Sequence, residues 1–210
     1  MIKSYGIVEK KLLHQKRIIA GVDEVGRGAL AGPVYAGAAV LDYKKLLALD
    51  KAELSLIRDS KSLSRPQREK SLILINKIAL THTTAFADVH EIEMLGIVQA
   101  TFLAMKRALG QLTLAFDILL IDGKFPIPEF DREQLSLIGG DRTCYAIAAA
   151  SILAKEARDT VMREEGNRYP NYGFENHVGY ATGKHLEAIR NLGACSLHRK
   201  NFEPIKSLLP

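Results

Sequence analysis

The chain has 210 residues, 47% of them hydrophobic and 25% charged, with a formal net charge of +5. Those proportions suit a globular domain able to bury its own core and argue against a disordered or collagen-like chain. Two cysteines without a Cys-x-x-Cys spacing argue against a disulfide framework or a thiolate metal site, and no apolar run approaches the roughly 18 residues needed to cross a bilayer.

Taken in chain order, the first 20 residues hold Lys3, Lys10, Lys11, Lys16 and Arg17 against Glu9 alone. Such a patch suits a polyanion but equally a solvated surface. Residues 17–25, rich in Ile, Val and Ala, predict a buried strand, and residues 33–41 predict a second. Gly26 to Gly32 supply the turn between them, so a hairpin is expected. A second basic group follows with Arg58, Lys61, Arg65, Arg68 and Lys70. Ser64 is the expected N-cap of a helix over 65–80, with Pro66 in its first turn. A strand is expected at 81–89 and a long amphipathic helix over 90–109, ending at Gly110. The apolar run 116–121, stopped by Asp122-Gly123, reads as a strand buried on both faces. After a short strand at 135–138, small residues mark a helix over 143–163 that can pack closely on a sheet. A last helix is expected at about 183–191. Early antiparallel strands followed by alternating strands and helices predict a mixed-sheet α/β domain, with a core over 1–165 and a C-terminal helical extension over 166–210.

Four acids lie at the ends of apolar segments: Asp23, Glu24, Asp122 and Asp141. Carboxylates there are costly unless solvated, capping or bound to a cation. Converging, they would form an all-oxygen cage suited to Mg²⁺ or Mn²⁺, and two such ions support phosphodiester hydrolysis. Asp141 could instead cap the helix that follows it, and Asp122-Gly123 could be a plain turn. Adjacent Asp23-Glu24 after an apolar strand has no comparable structural reason. Because neighbouring side chains alternate across a strand, the pair can share one site only if the strand ends or twists there.

Gly26-Arg27-Gly28 loosely matches a dinucleotide-binding loop, but that motif opens a helix whereas this one leads into a strand. A better reading is a loop whose backbone closely approaches a nucleic-acid strand and reads a 2′-hydroxyl. The six histidines lack ligand spacing. Ser60 and Ser151 have no triad-like neighbours in the sequence pattern, and Tyr172 and Phe174 are expected to pack the extension onto the core.

The stretch Gly21-Val22-Asp23-Glu24-Val25-Gly26-Arg27-Gly28-Ala29-Leu30-Ala31-Gly32-Pro33-Val34 resembles the opening motif of bacterial ribonuclease HII. Asp59-Ser60-Lys61-Ser62-Leu63-Ser64, Ile121-Asp122-Gly123, the Ala148 to Lys155 run, Tyr169-Pro170, Gly179-Tyr180-Ala181-Thr182 and His198-Arg199 continue the likeness in order. The resemblance implies a ribonuclease H-like fold and Asp23, Glu24, Asp122 and Asp141 as metal-binding acids. It further implies that Gly26, Arg27 and Gly28 contact the ribose 2′-hydroxyl, that Lys61 lies near the scissile phosphate, and that Tyr180 packs on the deoxyribose 3′ of the ribonucleotide. The implied reaction cuts 5′ of a ribonucleotide in RNA–DNA hybrids or ribonucleotide-containing duplex DNA, leaving 3′-hydroxyl and 5′-phosphate ends. One departure stands out: Gly139-Gly140-Asp141-Arg142 replaces a lysine-bearing pattern around the fourth acid. A junction resolvase of the same architecture and a non-catalytic nucleic-acid-binding module are the alternatives. A monomer in a reducing cytoplasm is expected, with no signal peptide and no protein partner identifiable.

Overall fold

The computed structural model describes residues 6–208. A short helix α1 (Ile7–His14) leads into β1 (Ile19–Val25), which forms a hairpin with β2 (Val34–Leu41). Helices α2 (Tyr43–Leu47), α3 (Lys51–Leu54) and α4 (Arg65–Ile78) follow, then β3 (Ala79–Ala87) and α5 (Val89–Gly110). Strands β4 (Ile118–Asp122) and β5 (Glu133–Leu137) precede α6 (Tyr145–Arg168). The chain then closes with α7 (Phe174–His177), α8 (Gly183–Leu192) and α9 (Ile205–Leu208). The sheet order is β3-β2-β1-β4-β5, antiparallel from β3 to β1 and parallel from β1 to β5. The expected mixed α/β sheet is therefore present, with helices on both faces and a helical C-terminal part.

Side-chain alternation divides the sheet between two layers. Ala20, Val22, Ala36, Ala38, Leu119 and Ile121 face α5, whereas Ile19, Ala39, Ile118 and Leu120 face α4 and α6. Helix α6 lies so close to the sheet that a Cβ at Gly21 would come within 2.3 Å of the Ala146 backbone, and one at Gly37 within 2.2 Å of the Ala150 carbonyl oxygen. That approach explains the small residues on both surfaces.

Three local details go beyond the sequence pattern. Helix α5, capped by the reciprocal Asp88–Glu91 box, is broken at Gly96 (φ 74°, ψ 156°), so it is two helical pieces rather than one. Asp141 does not cap α6: it lies in the 3₁₀ turn Gly140–Arg142, and the N-cap position of α6 is Cys144, with no side-chain cap bond. The cap comes instead from a distant residue, since the Ala146 amide donates to Glu9 Oε1 (2.9 Å), as does the Tyr43 hydroxyl (2.9 Å). Glu9 is therefore buried in α1 despite its place in a basic, outwardly solvated segment. Among the described residues no helix is long and apolar enough to cross a membrane.

Candidate active site

Strands β1 and β4 run parallel with Val22 opposite Ile121, so the next residues, Asp23 and Asp122, end adjacent strands side by side. Paired strands lie about 5 Å apart. By alternation both belong to the α6 face, while Glu24 belongs to the α5 face at the same strand end. The strand thus does not end between Asp23 and Glu24; the two flank its edge from opposite sides.

Asp23 is only 4% exposed. Its Oδ1 accepts from the Glu24 amide (2.7 Å), and Ser151 of α6 donates to the same carboxylate. Ser151 Oγ lies 3.0 Å from Ser60 Oγ, which ties the Asp59–Leu63 turn to Asp23. Burial, then the negative charges of Glu24 and Asp122, push the Asp23 carboxyl well above the usual range. Glu24 is raised too, chiefly by burial and partly by Asp122, although Arg27 Nη1 at 3.0 Å from its Oε1 opposes the shift. Asp122 Oδ1 accepts from the Gly140 amide (2.7 Å), which draws the Gly139–Arg142 turn against the end of β4. Asp141 is 7% exposed, and its carboxyl is pushed up to about 6 by burial, then by Asp122 and Asp59. Arg142 and Lys61 act in the opposite direction.

The four acids are therefore within electrostatic reach of one another. Among the described residues, however, no three His, Cys, Asp or Glu side chains converge into a ready-made metal shell. The donor set still suits a hard divalent cation: it is all carboxylate oxygen, partly desolvated, and carries like charges that a cation would relieve.

The glycine loop overhangs this edge. Gly26 is buried with φ +91°, and a Cβ there would sit 2.1 Å from Arg158 Nε. Gly28 differs: it is exposed, has no positive φ, and a Cβ would meet nothing within 4 Å. The fold requires glycine at 26 but not at 28. Two fully buried guanidinium groups hold the loop from beneath. Arg158 donates to the carbonyls of Ala31, Pro33 and Val178, and Arg199 donates to those of Arg27 and Gly32. With the carbonyls turned inward, the exposed tip at Arg27 and Gly28 faces solvent.

Tyr180 lies on the same side, its ring 5.4 Å from the Arg158 guanidinium carbon and 6.0 Å from Lys155 Nζ. Lys61 is exposed in the Ser60–Ser62 turn, close enough to Asp141 to lower its carboxyl. Tyr172 and Phe174 stack on each other (5.5 Å, 7°), with Phe174 fully buried, so both pack the C-terminal part as expected. A cleft between α5 and β4, lined by Arg27, Val98, Phe102, Asp122 and Phe125, opens beside the acids. Sequence reasoning missed the parts played by Ser60, Ser151, Arg158 and Arg199. The Asp-Ser-Lys motif hinted at the first. Nothing in local patterning marks a buried arginine whose partners are backbone carbonyls.

A mixed five-stranded sheet with acids gathered at one strand end is an arrangement suited to metal-dependent phosphodiester hydrolysis. The sequence model of the family described as Ribonuclease HII matches residues 20–205. A ribonuclease HII of Caldicellulosiruptor bescii is 43% identical over 208 residues, covering 99% of this chain and 96% of its own. Ribonuclease H2 of Pyrococcus horikoshii superposes with a TM-score of 0.74 at 23% identity, covering 90% of this chain and 96% of its own. Bst-RNase HIII in complex with Mn²⁺ superposes at 0.69 and 20% identity, covering 90% of this chain and 68% of its own. The chain belongs to the ribonuclease HII family, endoribonucleases that act on RNA–DNA hybrids and need divalent metal ions.

Proposed function

We propose that the chain cuts the RNA strand of hybrids and also nicks duplex DNA 5′ of an embedded ribonucleotide, leaving 3′-hydroxyl and 5′-phosphate ends. The observation that carries this reading is the register that brings Asp23 beside Asp122 beneath the glycine loop, with like charges left uncompensated. Asp23, Glu24, Asp122 and Asp141 would hold two Mg²⁺ or Mn²⁺ ions, and the manganese-bound relative supports that choice of cation. When bound, such ions supply an activated water and charge stabilisation at the leaving oxygen.

The chain's own groups orient and recognise. Ser151 and the Glu24 amide hold Asp23 in place, and the Gly140 amide does the same for Asp122. Lys61 and Arg27 place positive charge beside the acids, where a phosphate backbone would otherwise be repelled. The exposed Gly28 backbone lets a sugar approach closely, so main-chain groups of Gly26, Arg27 and Gly28 can read a 2′-hydroxyl. The Tyr180 ring would pack on the following deoxyribose and exclude a second hydroxyl. All these groups come from one chain, so a single copy would carry a whole site.

Duplex DNA with a single ribonucleotide, incubated with Mg²⁺ and Mn²⁺ in parallel, tests the reading. A nick on the 5′ side of the ribonucleotide, with all-DNA duplex intact, is the expected outcome. Equal cutting of both duplexes refutes recognition of the 2′-hydroxyl.

A further inference from the structure

Beyond the acids and the loop, the structure buries three histidines, His177, His185 and His198, against Phe174. The hydrogen bonds of His185 and His198 leave little freedom of protonation. The Cys195 amide donates to His198 Nδ1 (2.9 Å), so that nitrogen is an acceptor. The proton of His198 is then on Nε2, which faces His185 Nε2 at 3.1 Å. His185 Nε2 must accept, which puts its proton on Nδ1, and Nδ1 lies 2.9 Å from the Tyr180 carbonyl oxygen. One chain of donors and acceptors runs from Cys195 through both rings to Tyr180, and it is complete only with both rings neutral. A further proton on either ring would set two N–H groups against each other. Burial, which pushes both histidines down to about 4, agrees with this arrangement.

The far end of the chain is anchored on the glycine loop. His198 forms an antiparallel bridge with Ala31, and the Arg199 amide donates to the Leu30 carbonyl (2.9 Å). The Arg199 guanidinium takes the Arg27 and Gly32 carbonyls. On the other side of Tyr180, the Gly179 carbonyl accepts from the Leu30 and Ala31 amides. The backbone before Tyr180 is thus tied to the loop directly, and the backbone after it is tied through His185 and His198.

We propose that His185 and His198 form a positioning pair that fixes Tyr180 relative to the glycine loop, and so sets the preference for a ribonucleotide followed by a deoxyribonucleotide. This rests on the reading of Tyr180 and the loop given above. A merely space-filling role would be served by any two flat side chains. The positioning role requires the Nδ1–H donor to Tyr180.

The test compares single-turnover cleavage of two substrates well below each variant's melting temperature. One is duplex DNA with a single ribonucleotide, where Tyr180 meets a deoxyribose; the other is a uniform RNA–DNA hybrid, where it does not. His185→Phe keeps a ring but removes the donor, and should lower the junction-to-hybrid rate ratio about tenfold, as expected for one lost buried hydrogen bond. His185→Asn retains an amide donor near the Nδ1 position and should recover most of the ratio. An unchanged ratio in His185→Phe, or equal losses on both substrates, overturns the pair. Tyr180→Ala is the control. If it lowers the ratio while His185→Phe does not, only the pair fails; if it leaves the ratio unchanged, the reading of Tyr180 itself fails and the pair with it. Should His185→Phe not fold, the ¹H–¹⁵N imidazole spectrum of the unaltered protein decides. It should find His185 as the Nδ1–H tautomer and His198 as the Nε2–H tautomer, and the opposite assignment for either overturns the proposal.

Discussion

The sheet edge that carries the acids and the base of the glycine loop handle buried charge in opposite ways. At the sheet edge, Asp23, Glu24, Asp122 and Asp141 crowd like charges into a partly desolvated space, relieved in part by Arg27 at 3.0 Å from Glu24 and by Arg142 at 3.8 Å from Asp141. Beneath the glycine loop, Arg158 and Arg199 are wholly buried, and among the described residues no acid forms an ion pair with either, yet their N–H groups are spent on backbone carbonyls. The first region keeps like charges close together; the second has its donors and acceptors matched.

Substitutions should separate the two. The largest effect is expected from Asp122→Asn, which should still bind hybrid but cut it at least ~100-fold more slowly if Asp122 holds a metal ion as proposed. Near-normal turnover of the purified variant would end the role assigned to Asp122. On the scaffold side, Arg158→Met should cost at least ~3 kcal/mol of stability, because three carbonyls lose a buried donor. Chemical denaturation checks this, and a loss under ~1 kcal/mol would mean that water replaces the guanidinium.

The glycines sharpen the contrast within one loop. Gly26→Ala should unfold the protein more easily by about 2 kcal/mol, since its Cβ meets Arg158 and its φ is positive. Gly28→Ala should leave stability within ~0.5 kcal/mol yet slow ribonucleotide cleavage about tenfold, since only a ligand needs that space. Parallel losses of stability and activity at both positions would erase the distinction. In chelator, Asp23→Asn should raise stability by about 1 kcal/mol while abolishing cleavage, the usual exchange at a site built from repelling charges. A destabilised variant would argue that the Ser151 and Glu24 amide bonds outweigh the repulsion.

The smallest effect concerns acid. His185 and His198 are depressed from an ordinary value near 6.5 to about 4, so unfolded chains take up protons first. Their contribution is intact above about 6.5 and is lost as pH falls towards 4. Tyr172, His177, Cys195 and Arg199 surround the pair, whereas the raised carboxyls of Glu9, Asp23, Glu24 and Asp141 act with the opposite sign over much of the same range. The difference between unaltered protein and His185→Asn isolates the histidine part. It should shrink on acidification, and a constant difference from pH 7 to 5 would contradict the buried neutral pair.

Much of this was written locally in the chain. Apolar runs and their punctuation placed β1, β2, β4, α4 and α6 within a few residues, because periodicity and capping act over a few residues of backbone. The same runs singled out Asp23, Glu24 and Asp122 as acids where a strand should have no need of them. Local pattern left open whether Asp141 caps α6, and it lies instead in the turn that Asp122 draws in. It also passed over Glu9, which caps α6 from 137 residues away. The sequence by itself determined which side chains could do chemistry and which segments could carry them. Only the tertiary structure decided that β1 and β4 pair in the register that sets Asp23 beside Asp122, that two buried arginines take the loop's carbonyls, and that two histidines share one proton pattern. The physical reason is that each depends on groups far apart in the chain meeting at hydrogen-bonding distance, and such meetings follow from sheet register and helix packing.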